Sequence, residues 1–277
     1  MRPISQIITY KILYNGTLKE ISKIKIIGFP NHISFDINEK FLFCSSYHGK
    51  CLNILTLSPL GIPLKIFSIL KSINGCHYSN VDLNNTLYVT ALKEDKIYLY
   101  NLLNNKNIYK DFPKVVNVKP SSGPRHLAIH PNKKNVYSIN ELNSTIDVWK
   151  HSHLHQTLYL LQNLKILPDE YNDNCWGADI HLTPCARYLY ASDRHANVIT
   201  SFAINSNNGK IQKLEHYVTE KQPRSFCIDE LGKNLIVAGE KSNSITVYQI
   251  DLNNGFLYKM NSYIVGVNPI WILMHII

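Results

Sequence analysis

The chain repeats itself at a long period, and that periodicity limits it to a few architectures. Short alternating segments recur: Ile7-Ile8-Thr9-Tyr10, Leu52-Asn53-Ile54-Leu55, Ile97-Tyr98-Leu99-Tyr100, Ile146-Asp147-Val148-Trp149, Ile199-Thr200-Ser201-Phe202 and Ile245-Thr246-Val247-Tyr248. Their last residues are 45, 45, 49, 53 and 46 positions apart. A second pattern precedes most of them: a small or Pro-containing entry, an apolar strand, a polar turn and another apolar strand. Gly123 to Pro131 followed by Asn135 to Asn140 is the clearest copy. Trp176 to Pro184 with Tyr188 to Ser192, and Gln222 to Asp229 with Leu235 to Gly239, are two more.

Period-2 alternation rich in Ile, Val, Tyr and Phe, bounded by Asn, Asp, Gly and Pro, is a strand signature. No window carries a 3.6-residue apolar stripe long enough for a helix. Each unit offers an inner strand, a second, a third and a less regular fourth. Four strands in roughly 40–50 residues make the blade of a β-propeller. A sandwich would carry the turn signals without this fixed larger period. The chain therefore reads as all-β, a single propeller domain over residues 1–277. A partial first blade falls at 1–10, five full units over about 11–248, and a partial last blade at 249–277.

The net charge of +9 suggests nucleic acid at first sight. Composition argues otherwise: 24 of the 29 basic residues are Lys, spread along the chain, beside 34 Ile and 30 Asn. That trio reflects a drift in composition rather than a basic groove, so no nucleic-acid partner is expected. Residues 1–13 lack an unbroken apolar core, and the apolar stretch Tyr263 to Ile277 is interrupted by Asn268, Pro269 and His275. Neither a signal peptide nor a membrane span is expected. The cysteines, Cys44, Cys51, Cys76, Cys175, Cys185 and Cys227, form no C-x-x-C pair. A cytoplasmic monomer with reduced thiols is the expectation.

Propeller geometry makes the start of a blade's first strand and the end of its second neighbours at one mouth of the central channel. In the clearest unit these positions are Arg125 and Glu141, 16 residues apart. Matching first-strand positions are Pro30, His77, Ala178, Arg224 and Ile270, and matching second-strand ends include Arg2, Ser46, Arg194 and Glu240. One mouth would thus gather His77, Arg125, Arg194, Arg224, Glu141 and Glu240. Four of the five arginines fall on this ring, Arg2 being the fourth.

These residues resemble a known family. Gly123-Pro124-Arg125-His126 with His130-Pro131, Asn140 to Ser144 and Val148-Trp149 are similar to the seven-bladed lactonase propeller family. Gly75-Cys76-His77, Ala178 to His181, Ser192-Asp193-Arg194, Gln222-Pro223-Arg224, Ala238 to Ser242 and Asn268 to Trp271 extend the likeness over nearly the whole chain. The resemblance implies hydrolysis of 6-phospho-D-glucono-1,5-lactone to 6-phosphogluconate in the oxidative pentose phosphate pathway. Muconate-cyclising members of the family place a His, an Arg and a Glu in the cleft, a pattern matched here by His77, Arg125 and Glu141. Seven blades of roughly 45 residues need about 315, and this chain has 277. The expected ring therefore lacks most of the first blade and the closing N-terminal strand.

Hydrolysing a δ-lactone needs a positioned water, a proton acceptor and positive charge near the carbonyl oxygen. A phosphate on the substrate adds a demand for bidentate Arg. Arg125 and Arg224 are the candidates for phosphate or oxyanion, and Glu141 or His77 for the base. Arg194, His126, Asp179 and His181 complete the expected substrate site, Asp179 and His181 sharing one face of an inner strand. The alternative is that Arg125 and Glu141 form an ion pair tying two strands together. Cys76 reads as a buried apolar residue rather than a nucleophile, and His130 as a turn residue. His151, His153 and His155 alternate as a metal site might, but in an outer, loop-like segment with no nearby carboxylate, so neither metal nor cofactor is expected. Trp149, Trp176 and Trp271 read as blade packing. A lactonase or cycloisomerase acting on another carboxylated substrate, or a non-catalytic scaffold, is the alternative function.

Overall fold

The computed structural model describes residues 5–102, 113–168, 170–171 and 174–275. Arg2 lies outside the described residues. Among the described residues the regular structure is strand, apart from one 3-10 turn at Leu92–Glu94. No helix among them is long and apolar enough to cross a membrane. The fold divides into two compact units, residues up to Lys119 and residues from Pro120 onward.

The first unit opens with a two-stranded sheet, β1 (Gln6–Ile12) and β2 (Leu18–Lys25). Two four-stranded sheets follow. One comprises β3 (His32–Phe35), β4 (Phe41–Ser46), β5 (Cys51–Leu57) and β6 (Pro63–Lys71). The other comprises β7 (Cys76–Val81), β8 (Thr86–Ala91), β9 (Lys96–Asn101) and β10 (Lys114–Asn117). Phe43, Leu52, Ile54, Leu87 and Val89, all fully buried, pack between these two sheets.

The second unit contains three four-stranded sheets. They are β11 (Pro124–Ile129), β12 (Asn135–Asn140), β13 (Thr145–Ser152) and β14 (Thr157–Lys165); β15 (Gly177–Leu182), β16 (Tyr188–Asp193), β17 (Val198–Ile204) and β18 (Ile211–Val218); and β19 (Pro223–Ile228), β20 (Asn234–Gly239), β21 (Ser244–Ile250) and β22 (Leu257–Ile264). Each sheet is an antiparallel meander in sequence order, the strand order of a propeller blade. Ile139, Ile146, Val148, Ile180, Leu189 and Phe202 fill the space between the first and second sheets. Tyr190, Ile199, Phe226, Leu235, Val237 and Tyr248 do the same between the second and third. Each such apolar side chain contributes about 1.5–3 kcal/mol by leaving water.

Five of the six repeated segments land on one structural position. Tyr10, Leu55, Trp149, Phe202 and Tyr248 each follow a register shift between a strand and its outer neighbour. The extra residue there bends the ladder and strengthens its twist. The long sequence period is thus the signature of a bulge that recurs sheet by sheet.

The fourth strands are the less regular ones, as expected: β6, β14, β18 and β22 each pair with the third strand of their sheet through a register shift, and β10 is only 4 residues long. Two sequence expectations are corrected. His151 lies on β13 and is buried, not in a loop. No strand forms around Ile270 or Trp271, where Asn268 takes a left-handed φ of 53° and Pro269 offers no N–H.

Candidate functional site

A second set of register shifts prepares the site. In β11 the pairing passes from Pro124 opposite Asn140 to His126 opposite Ile139, so Arg125 is the extra residue. In β19 it passes from Pro223 opposite Gly239 to Ser225 opposite Ala238, which makes Arg224 its counterpart. β15 shifts between Gly177 and Ile180 and β7 between Cys76 and Ser79. In these two strands the Asp179 and Tyr78 amides donate instead to the hydroxyls of Ser192 and Thr90, each at 3.1 Å. Bulges re-aim side chains at strand ends, and here they re-aim Arg125, Arg224, Asp179 and His77.

Arg125 is 2% exposed. Its Nε donates to Glu141 Oε2 at 3.0 Å, and its Nη1 reaches the Ala178 carbonyl and lies 3.2 Å from His126 Nε2. Arg194, also 2% exposed, donates from Nη2 to the same Glu141 oxygen at 2.8 Å and to the Gly177 carbonyl at 3.2 Å. The Trp176 ring lies 3.7 Å from the Arg194 guanidinium carbon. Glu141 therefore holds two buried cations on Oε2, leaving Oε1 unspent on either. Burial, with Glu141 opposing it, pushes Arg125 down to about 10. Burial and the neighbouring Arg125 push Arg194 down to about 9.

A second cluster continues from the first. His126 Nδ1 is 2.7 Å from Asp179 Oδ1, and His181 Nε2 is 3.2 Å from Asp179 Oδ2. Burial and Arg125 push His126 down to about 4, so it is neutral at pH 7. As the neutral ring it donates from Nδ1 to Asp179 and accepts Arg125 at Nε2. Burial acts against the charges of both Asp179 and His181, yet their mutual attraction wins. It holds Asp179 well below the usual carboxylate range and raises His181. Six of the expected residues are thus joined in one path: His181, Asp179, His126, Arg125, Glu141 and Arg194.

Arg224 stands differently. Its side chain is 27% exposed, and its Nη1 meets Glu240 Oε2 at 3.5 Å. His77 belongs to the first unit, buried at the β7 bulge, with its ring edge-on to Tyr47 at 6.1 Å. Cys76 beside it is fully buried and burial pushes its thiol up to about 12, a poor nucleophile at neutral pH. Trp149 packs within its sheet, with Nε1 donating to Ser138 at 2.8 Å. Trp271 is not packed away: it is half exposed, edge-on to His126 at 6.1 Å.

Sequence reasoning assigned Trp176 to packing and overlooked Asp193. The Asp193 carboxylate is buried and accepts the Trp176 amide at 2.7 Å, the His195 and Ala196 amides at 2.8 and 2.7 Å, and the Ser144 hydroxyl. It thereby sets the turn that carries Arg194. A signal for these contacts was present. Arg125 to Ala178, His126 to Asp179 and Glu141 to Arg194 are each 53 residues apart, the spacing between the repeated Trp149 and Phe202. Equivalent positions one repeat apart are the residues that touch.

The profile of the family described as "Lactonase, 7-bladed beta-propeller" matches residues 3–274. A 6-phosphogluconolactonase of Buchnera aphidicola from Schizaphis graminum is 44% identical over 100% of this chain and 84% of its own length. The 6-phosphogluconolactonase of Cronobacter sakazakii is 39% identical over 99% of this chain and 83% of its own. Among solved structures, the periplasmic gluconolactonase PpgL of Pseudomonas aeruginosa superimposes with a TM-score of 0.86 at 20% identity. That match covers 95% of this chain and 78% of PpgL. With five four-stranded antiparallel meanders among the described residues and a profile match over nearly its full length, this chain belongs to the seven-bladed β-propeller lactonase family.

Proposed function

We propose that this protein is a 6-phosphogluconolactonase, hydrolysing 6-phospho-D-glucono-1,5-lactone to 6-phospho-D-gluconate in the oxidative pentose phosphate pathway. The observation that carries the substrate is the whole-length similarity to enzymes of that name. The geometry supplies machinery that suits it. Glu141 is fixed by two buried guanidinium groups at Oε2, and Oε1 accepts the proton of the attacking water. His181, whose hold on its proton Asp179 strengthens and whose side chain is partly open to solvent, donates a proton to the ring oxygen as the acyl C–O bond breaks. Water adds to the carbonyl carbon and the ring ester cleaves to a carboxylic acid and a hydroxyl. The acid loses its proton to solvent, through which Glu141 gives up its proton and His181 regains one, for a net release of one proton. Arg125, Arg194, His126 and Asp179 position these two groups, and Arg224 belongs to the substrate's surroundings. The six free thiols suit a reducing cytoplasm.

The test is acid release from freshly generated phosphorylated lactone in a pH-stat, with and without EDTA. Hydrolysis well above the spontaneous rate, unchanged by EDTA, is expected. A rate no faster than spontaneous overturns the assignment, and turnover confined to another carboxylated lactone points to a different member of the family.

A further inference from the structure

We propose that Arg224 is the residue that selects the phosphorylated lactone, and that Arg125 and Arg194 make no contact with the phosphate. The inference rests on the lactonase reading above and divides the work among its three arginines.

The three guanidinium groups share one electrostatic neighbourhood, since Arg224 acts on both Arg125 and Arg194. They differ in what they have free. Arg125 spends Nε on Glu141 and Nη1 on a backbone carbonyl and His126. Arg194 spends Nη2 on Glu141 and on a carbonyl, and the Trp176 ring lies against its guanidinium. Each is 2% exposed. Turning either toward a substrate would strip Glu141 of a partner and leave an uncompensated charge inside the protein.

Arg224 carries no such commitment. Its side chain is more than a quarter open to solvent, and its one ion pair lies at the outer limit of hydrogen-bond length. Two carboxylates, Glu141 and Glu240, form ion pairs with these three arginines, while Asp179, which also acts on Arg125, is engaged by His126 and His181. Glu141 serves two buried arginines, whereas Arg224 holds Glu240 by a long contact at the exposed edge, so Arg224 is the member open to an incoming anion. A phosphate dianion fits that position: it outcompetes the long contact to Glu240 and takes the guanidinium fork in two parallel hydrogen bonds. The β19 bulge serves this by turning Arg224 out of the ladder.

The experiment measures kcat/KM for 6-phospho-D-glucono-1,5-lactone and for D-glucono-1,5-lactone, together with inorganic phosphate binding by calorimetry. The wild type is compared with Arg224→Gln and Arg224→Lys. The ratio of the two kcat/KM values should fall about 30- to 100-fold in Arg224→Gln, mainly through KM for the phosphorylated substrate. Phosphate binding should weaken in parallel, and Arg224→Lys should recover part of both. An unchanged ratio, whether both substrates lose equally or neither loses, overturns the proposal. If the wild type turns over neither lactone, the lactonase reading falls by itself. Calorimetry then decides for Arg224: weakened phosphate binding in Arg224→Gln supports phosphate recognition, and undiminished binding overturns it.

Discussion

Arg194 and Glu141 follow the second strands of different sheets, yet Nη2 of Arg194 donates to Glu141 Oε2 at 2.8 Å. The sheet that carries Arg194 has Ala178 where its neighbours have Arg125 and Arg224. Lacking a partner of its own sheet, Arg194 crosses to Glu141, which then holds two arginines while Arg224 keeps Glu240 alone. A single small residue thus skews the charge of the whole cluster.

Glu141→Ala should leave two buried guanidinium groups facing each other. A loss of about 3–5 kcal/mol in urea unfolding is expected, with Glu141→Gln losing less. Both should lower kcat about 100-fold or more. Unaltered turnover by a folded Glu141→Gln would remove this residue from the chemistry.

Trp176→Leu removes the aromatic face against Arg194 while leaving every hydrogen bond to Glu141 possible. The cost should be about 1–2 kcal/mol. Because Arg194 acts through Glu141, kcat should drop with little change in KM. A rise in KM at constant kcat would instead mean that Trp176 touches substrate.

Gly177→Ala tests the join between sheets. A Cβ there would stand 2.5 Å from the Asn140 carbonyl oxygen, and the Gly177 amide donates to the Glu141 carbonyl at 3.0 Å. Backbone must move, so a loss of about 1–3 kcal/mol is expected, together with reduced kcat. A melting temperature equal to wild type would show that the join yields freely.

The pH dependence of stability should have a maximum near neutrality, with each side set by one histidine. His126 is pushed down to about 4, so the unfolded chain takes up a proton that the folded one does not. Stability should fall by about 3 kcal/mol from this group as pH drops from 6.5 to 4. His181 is raised; its contribution is complete below about pH 6.5 and is lost as pH rises through its folded value. Urea unfolding from pH 4.5 to 8.5 should show His126→Gln flattening the acid side and His181→Gln the alkaline side. Profiles parallel to wild type would contradict both assignments.

The repeated segments were legible because a strand's alternation and its bounding turns are local. They located Tyr10, Leu55, Trp149, Phe202 and Tyr248 at equivalent bulges, and propeller geometry paired Arg125 with Glu141 and Arg224 with Glu240 across 16 residues. The looped His151 went wrong for a local reason too: His151, His153 and His155 read as a polar run, while β13 continues to Ser152 and buries the His151 side chain.

By itself, then, the amino-acid sequence determined the blade unit, its period and which charged residues stand at strand ends. Tertiary structure alone decided which of those charges are buried and shared. The Glu141–Arg194 and His126–Asp179 contacts join different sheets across 53 residues. Whether equivalent positions in neighbouring sheets touch depends on how closely the inner strands approach. Gly177 and the bulges at Arg125 and Asp179 govern that approach. A one-dimensional pattern records the repeat but not the distance across it. That distance makes Arg125 a support for Glu141 and leaves Arg224 open to solvent.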